Sequence, residues 1–261
     1  MNRALKLACA GAASLSFLIP ISPGKSQTSV CPASGSGVAL PADDGCATTP
    51  SRYEIVIYEM GLCTSNPTAS SSFDRSTCTS TLISSGGVTT DLAPGSTVDL
   101  GSSGGSLPEP GNYSYAYIVM ANTFGLNVSY AASNGVTYAS NSSGKAIASG
   151  TPTNFTETLD NFDGGGAPCE PTASASVTGG NLRAMLADGS LSRADSCTGV
   201  TRLVGTFEPS SPIAITSSTS GLNVSFTVTD NGATITTNNA ATPIPTDFSS
   251  GPFSPFFTVI E

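Results

Sequence analysis

Along residues 53–60 apolar and polar positions alternate, with Tyr53, Ile55, Ile57 and Glu59 on one face and Glu54, Val56, Tyr58 and Met60 on the other. A period of two marks a β-strand, and apolar side chains on both faces predict a central one. The same period runs through residues 111–122, where Tyr113, Tyr115 and Tyr117 face one way and Ala116, Ile118 and Met120 the other. Shorter apolar pieces at 82–83, 88 and 98–100 predict short strands, with the Gly- and Ser-rich stretches 84–87 and 101–106 as surface turns. Further strands are expected at 154–159, 173–178, 200–207 and 213–216, with a closing strand at 252–261. Residues 181–188 fit either one helical turn or a strand entering a turn at Asp188 and Gly189, and the strand is preferred. Helix is otherwise absent from the pattern.

A six-residue repeat punctuates this series: Gly125, Leu126, Asn127, Val128, Ser129, Tyr130 returns as Gly221, Leu222, Asn223, Val224, Ser225, Phe226. Each copy runs toward an Asn-Gly pair, Asn134 with Gly135 and Asn231 with Gly232. Asn-Gly suits the positive φ angles of tight hairpins, so two hairpins are expected. They suggest two related halves, residues 52–150 and 151–261, or equivalent positions in one large sandwich.

The first 26 residues read as a secretory leader. Arg3 and Lys6 precede an uncharged run from Leu7 to Ile21, too short for a comfortable membrane helix, and small residues at Ser22, Gly24 and Ser26 suit cleavage. Loss of the leader removes Cys9 and leaves Cys31, Cys46, Cys63, Cys78, Cys169 and Cys197. An even set in an exported chain predicts full pairing. Local closure favours Cys31 with Cys46, Cys63 with Cys78 and Cys169 with Cys197, since each pair brackets a loop rich in small or polar residues. The chain has no His and no Cys-x-x-Cys pair, which argues against zinc. Residues 27–51 then form an irregular segment pinned by its own disulfide, ahead of a β body over 52–261.

Composition narrows the function further. Nine basic residues stand against 18 acidic ones, and removing Arg3, Lys6 and Lys25 with the leader makes the chain more acidic still. Nucleic acid and anionic membranes are poor partners for such a surface. A hydrophobic fraction of 38% is enough for a packed core, so the abundant Ser and Thr are read as a hydroxyl-rich surface and not as disorder. Without histidine the usual serine and cysteine nucleophiles lack their base. Carboxylates remain, and Glu54, Glu59, Glu157, Asp160 and Asp163 are candidates for a paired-acid hydrolase, which needs two of them facing across a cleft.

Two binding features stand out. Asp160, Asn161 and Asp163, followed by glycines 164–166, offer hard oxygens to calcium on a flexible turn; Asp43 and Asp44 give a weaker version. Tyr113, Tyr115 and Tyr117 either cover a core edge or pair across strands, or form a stacking platform for sugar rings or a partner protein. Asn112, Asn127, Asn141, Asn154 and Asn223 head N-x-Ser/Thr sequons.

The expectation is therefore an all-β, antiparallel sandwich or jelly-roll-like fold with three disulfides and long loops. It is exported to the cell surface, medium or periplasm, with no membrane span after leader removal. Its expected role is a non-catalytic fibre, coat or adhesive-layer subunit that self-associates or binds other surface proteins. The alternative is a secreted glycan- or calcium-binding module; no other cofactor is expected.

Overall fold

A computed structural model describes residues 29–42, 45–93, 97–98, 104–163 and 168–261. The leader with Cys9, Asp43 and Asp44, and glycines 164–166 lie outside the described residues. The chain runs through β1 (Cys46–Thr48), β2 (Arg52–Cys63), β3 (Cys78–Asp91), β4 (Thr97–Val98), β5 (Gly111–Tyr113), β6 (Tyr115–Ala121), β7 (Thr123–Asn127), β8 (Ser129–Ala131), β9 (Thr137–Ser140) and β10 (Ala146–Ala148). It continues through β11 (Phe155–Thr158), β12 (Thr172–Val177), β13 (Gly180–Ala187), β14 (Arg202–Pro209), β15 (Ile213–Ile215), β16 (Gly221–Thr227), β17 (Ala233–Thr237), β18 (Pro245–Ser250) and β19 (Ser254–Ile260). The described residues contain no helix, and every strand pair is antiparallel. The expected all-β class is what the chain forms.

One layer is an eight-stranded sheet in the order β11-β7-β2-β6-β14-β13-β12, with β3 also on β2. Facing it are three small sheets, β1-β17-β18, β8-β9-β10 and β4-β16-β19. Tyr53, Ile55, Ile57, Met120 and Leu203 from the large sheet meet Val224, Phe226, Ile235 and Phe248 from the small ones in the main core. The large sheet's other face carries a second cluster, in which Phe73 and Leu191 cover Tyr117, Val119, Met185 and Val204.

Strand β2 is central, as expected, but its faces are not those of simple alternation. A bulge between Ile57 and Glu59 shifts the register against both β3 and β6. One extra residue inverts the facing of everything after it. Met60 therefore joins Tyr53, Ile55 and Ile57 in the main core, and Glu59 turns to the opposite face beside Tyr117. Without the bulge a carboxylate would point into an apolar interior. On β3, the expected surface turn at 84–87 is instead the looped-out part of one long strand, between the pairs Glu59–Ile83 and Ile57–Val88.

Strands β6 and β7 form nearly one strand, interrupted at Asn122. On the side away from β2, β6 pairs with β14 and β7 with β11. The sheet splits there, and the buried Asn122 amide fills the gap, donating to the Leu159 carbonyl at 3.0 Å and the Val200 carbonyl at 3.4 Å.

The two repeat copies take different places. After the first, β8 and β9 form the expected hairpin, closed by Gly135 at φ 79°. After the second, β16 pairs with β19 and β4 while β17 pairs with β1 and β18. The turn at Asn231 and Gly232 therefore crosses between sheets and is not a hairpin; Asp230, at φ 58°, and neither Asn231 nor Gly232, carries the positive φ. Residues 181–188 lie almost wholly in β13, a strand leading into a turn that Asp188 caps by accepting from the Ser190 and Ser192 amides.

The disulfides are Cys31–Cys46, Cys63–Cys78 and Cys169–Cys197, the three local closures expected. Three such bonds belong to an oxidising compartment. Among the described residues, no helix is long and apolar enough to cross a membrane.

Candidate functional site

An apolar cleft of ≈ 520 Å³ opens between the large sheet and the β17, β18 and β19 strands. Its floor follows from strand register. Ala173 on β12 lies opposite Ala184 on β13, which lies opposite Gly205 on β14, which lies opposite Ile118 on β6, itself opposite Met60 on β2. Directly paired residues of antiparallel strands point to the same face. Three of the smallest side chains thus form one row across three neighbouring strands.

The flanking rows are bulkier over β13 and β14. Leu186, Leu203, Met120 and Ile57 make the row on one side, and Ala175, Leu182, Phe207, Ala116 and Leu62 that on the other. The trough between them is roofed by Phe226, Phe253, Pro255 and Phe257. Ala173, Ala175, Leu182 and Ala184 face inward yet stay only half-buried, so the sandwich is unfilled along its β12 side. Glu157, Asn161 and Asp163 supply polar lining; the Ser250 amide donates to Glu157 at 2.5 Å.

On the other face of the sheet is the most elaborate ionic group among the described residues. Arg75, in the loop closed by Cys63–Cys78, donates to Glu59 through Nε at 3.0 Å and Nη2 at 2.6 Å. Tyr117 and Ser80 hydroxyls donate to the same carboxylate at 2.7 and 2.9 Å. Burial pushes the Glu59 carboxyl up, but the hydrogen bonds from Arg75, Tyr117 and Ser80, together with the Arg75 charge, outweigh it and hold it below the usual range. Burial pushes the Tyr117 phenol well above its ordinary value. Gly61 is required beside them, since a Cβ there would sit 2.2 Å from the Thr79 carbonyl oxygen and 2.9 Å from the Tyr117 hydroxyl. A carboxylate held by four donor contacts is suited to pinning a loop; it is poorly placed to move protons.

The other candidates are scattered. Glu54 pairs with Arg52 at 2.6 Å, and Asp160 is exposed. The Asn161 side-chain oxygen accepts from the Asp163 and Glu170 amides at 3.0 and 2.9 Å, which is the geometry of an Asx turn. Among the described residues no group of three or more His, Cys, Asp or Glu is placed to hold a metal ion. The tyrosines do not form one exposed face. Tyr113 is buried with Ile213 and Ile215, its hydroxyl donating to the Glu109 carbonyl; Tyr117 is buried beneath Phe73, and Tyr115 is half-buried. The bend at Ser114, which separates β5 from β6, breaks the stripe.

Sequence reasoning passed over Ala173, Ala184 and Gly205. Alternation does put Ala173 with Ala175, and Leu182 with Ala184, on common faces, but only the register brings the small residues into line. No family model, curated protein or solved structure matches this chain.

Proposed function

We propose that the chain is an exported, non-catalytic subunit of an extracellular or cell-surface layer or fibre, and that subunits join through sheet edges. The observation that carries this reading is β12. It closes one end of the large sheet, pairs among the described residues only with β13, and runs Thr-Ala-Ser-Ala-Ser-Val in unbroken register. Edge strands of monomers are ordinarily protected by a charge, a proline or a bulge. This one carries none of the three, and its unpaired amides and carbonyls offer a template for another strand.

The chemistry is consistent with such a role. The chain has no histidine, and Glu59, the buried carboxylate among the described residues, is held by Arg75, Tyr117 and Ser80. Three disulfides suit a subunit that must persist outside the cell.

Sedimentation velocity and electron microscopy of leader-free protein test the reading. Oligomers or fibres are expected at micromolar concentration, and Ser174→Lys with Ser176→Lys, both exposed on β12, should dissolve them. A species that stays monomeric at high concentration would sink the proposal.

A further inference from the structure

The cleft supports a function beyond assembly: we infer that it is a binding site for one elongated, uncharged apolar molecule, such as a long-chain alcohol or a comparable neutral hydrocarbon. Its volume of ≈ 520 Å³ falls within the range of small-molecule sites, about 300–1,000 Å³. Its walls are mainly aliphatic and aromatic, which favours a ligand that gives up little hydration on entry.

The shape is set by the row Ala173, Ala184, Gly205. With neighbouring strands about 4.8 Å apart, the trough runs roughly 10 Å from β12 to β14. Gly205 is the last step without bulk, because Ile118 stands next in the row, its Cγ2 2.9 Å from where a Gly205 Cβ would be. The ligand therefore enters beside β12 and lies across the strands.

Direction separates this occupant from a peptide. A β-strand added to β12 runs parallel or antiparallel to it, along the edge; it cannot lie in a trough perpendicular to the strands and keep its backbone hydrogen bonds. Charge separates it from an anionic amphiphile. Two acids, Glu157 and Asp163, outnumber one base, Arg183, in the cleft lining, Thr234, Thr236 and Ser249 add polar groups, and the chain's formal net charge is −9. A carboxylate or sulfate head would meet a lining of net like charge there, whereas a hydroxyl head can donate or accept.

The test uses the leader-free protein with its disulfides intact. Nile red, a neutral apolar dye, is titrated with and without dodecanol or dodecanoate as competitor. Saturable binding at one dye per chain is expected, displaced by dodecanol at a concentration at least fivefold lower than by dodecanoate. Ala184→Leu, which fills the trough, should weaken dye binding at least tenfold while leaving the thermal midpoint nearly unchanged. If that variant does not fold, Ala173→Leu at the mouth serves instead, and Ser176→Lys, exposed on β12 and outside the cleft lining, is the control that should bind normally. Equal dye binding by wild type and the filled variants, no saturable binding, or equal displacement by dodecanoate would each overturn the inference. So would binding that falls as protein concentration rises, which would mean that a second copy occupies the cleft. Because Ser174→Lys with Ser176→Lys breaks assembly and Ala184→Leu blocks the trough, failure of one reading is distinguishable from failure of the other.

Discussion

The Tyr117 hydroxyl donates to the Glu59 carboxylate across 2.7 Å, from a strand that reaches Glu59 only because of the bulge after Ile57. The pair joins the central strand β2 to β6, while Arg75 ties both to the disulfide-closed loop above. Replacing Glu59 with Gln should destabilise the fold by about 2–4 kcal/mol, the range for removing one partner of a largely buried ion pair, tempered by the half-exposed Arg75. Tyr117→Phe should cost about 1 kcal/mol. Urea melts at neutral pH measure both.

The same carboxylate sets an acid limit. Its folded-state pKa lies below the ordinary value of 4.5, so its contribution is fully present above that value and is lost as pH falls through the lowered one. The stability gap between wild type and Glu59→Gln should therefore shrink below about pH 4.5. A gap that stays constant from pH 7 to pH 3 would contradict the assignment.

Gly61→Ala should be more damaging than its size suggests. The added methyl would overlap the Thr79 carbonyl of the paired strand and press on the Tyr117 hydroxyl, a strain of about 1–3 kcal/mol. Thermal unfolding should register it as a lower midpoint, and Ser80→Ala in the same background should add less than it does alone, since both disturb one network.

Asn122→Leu should open the split in the large sheet. The Leu159 and Val200 carbonyls would lose their donor, with a penalty of about 1–3 kcal/mol. Hydrogen exchange should show faster exchange in β11 and at the start of β14, with the Gly180 end of β13 little changed.

What could be read from the sequence divides along physical lines. The strand period of β2, β6 and β14 and the three short-range disulfides were legible, because alternation and loop closure are local. The bulge at Tyr58 was not, since Glu59 and Met60 exchange faces only through pairing with Val119 and Ile118. The two Asn-Gly turns look alike in sequence, yet one returns its strand to β8 and the other sends β17 into a different sheet. Asn122 looked like the end of a strand and proves to be its hinge. The floor of the cleft was hidden for the same reason: Ala173, Ala184 and Gly205 are unremarkable singly, and their alignment exists only in the register of β12, β13 and β14.

The Cys169–Cys197 bond spans the loops that lead into β12 and β14, on either side of β13. Mechanically it is a clasp across the outer three strands. A pull that would peel β12 from the sheet must also drag the start of β14, so the load reaches the middle of the molecule without unzipping its rim. A subunit bearing tension through β12 would then stretch as one body, and reducing this bond would convert it into one that frays from the side.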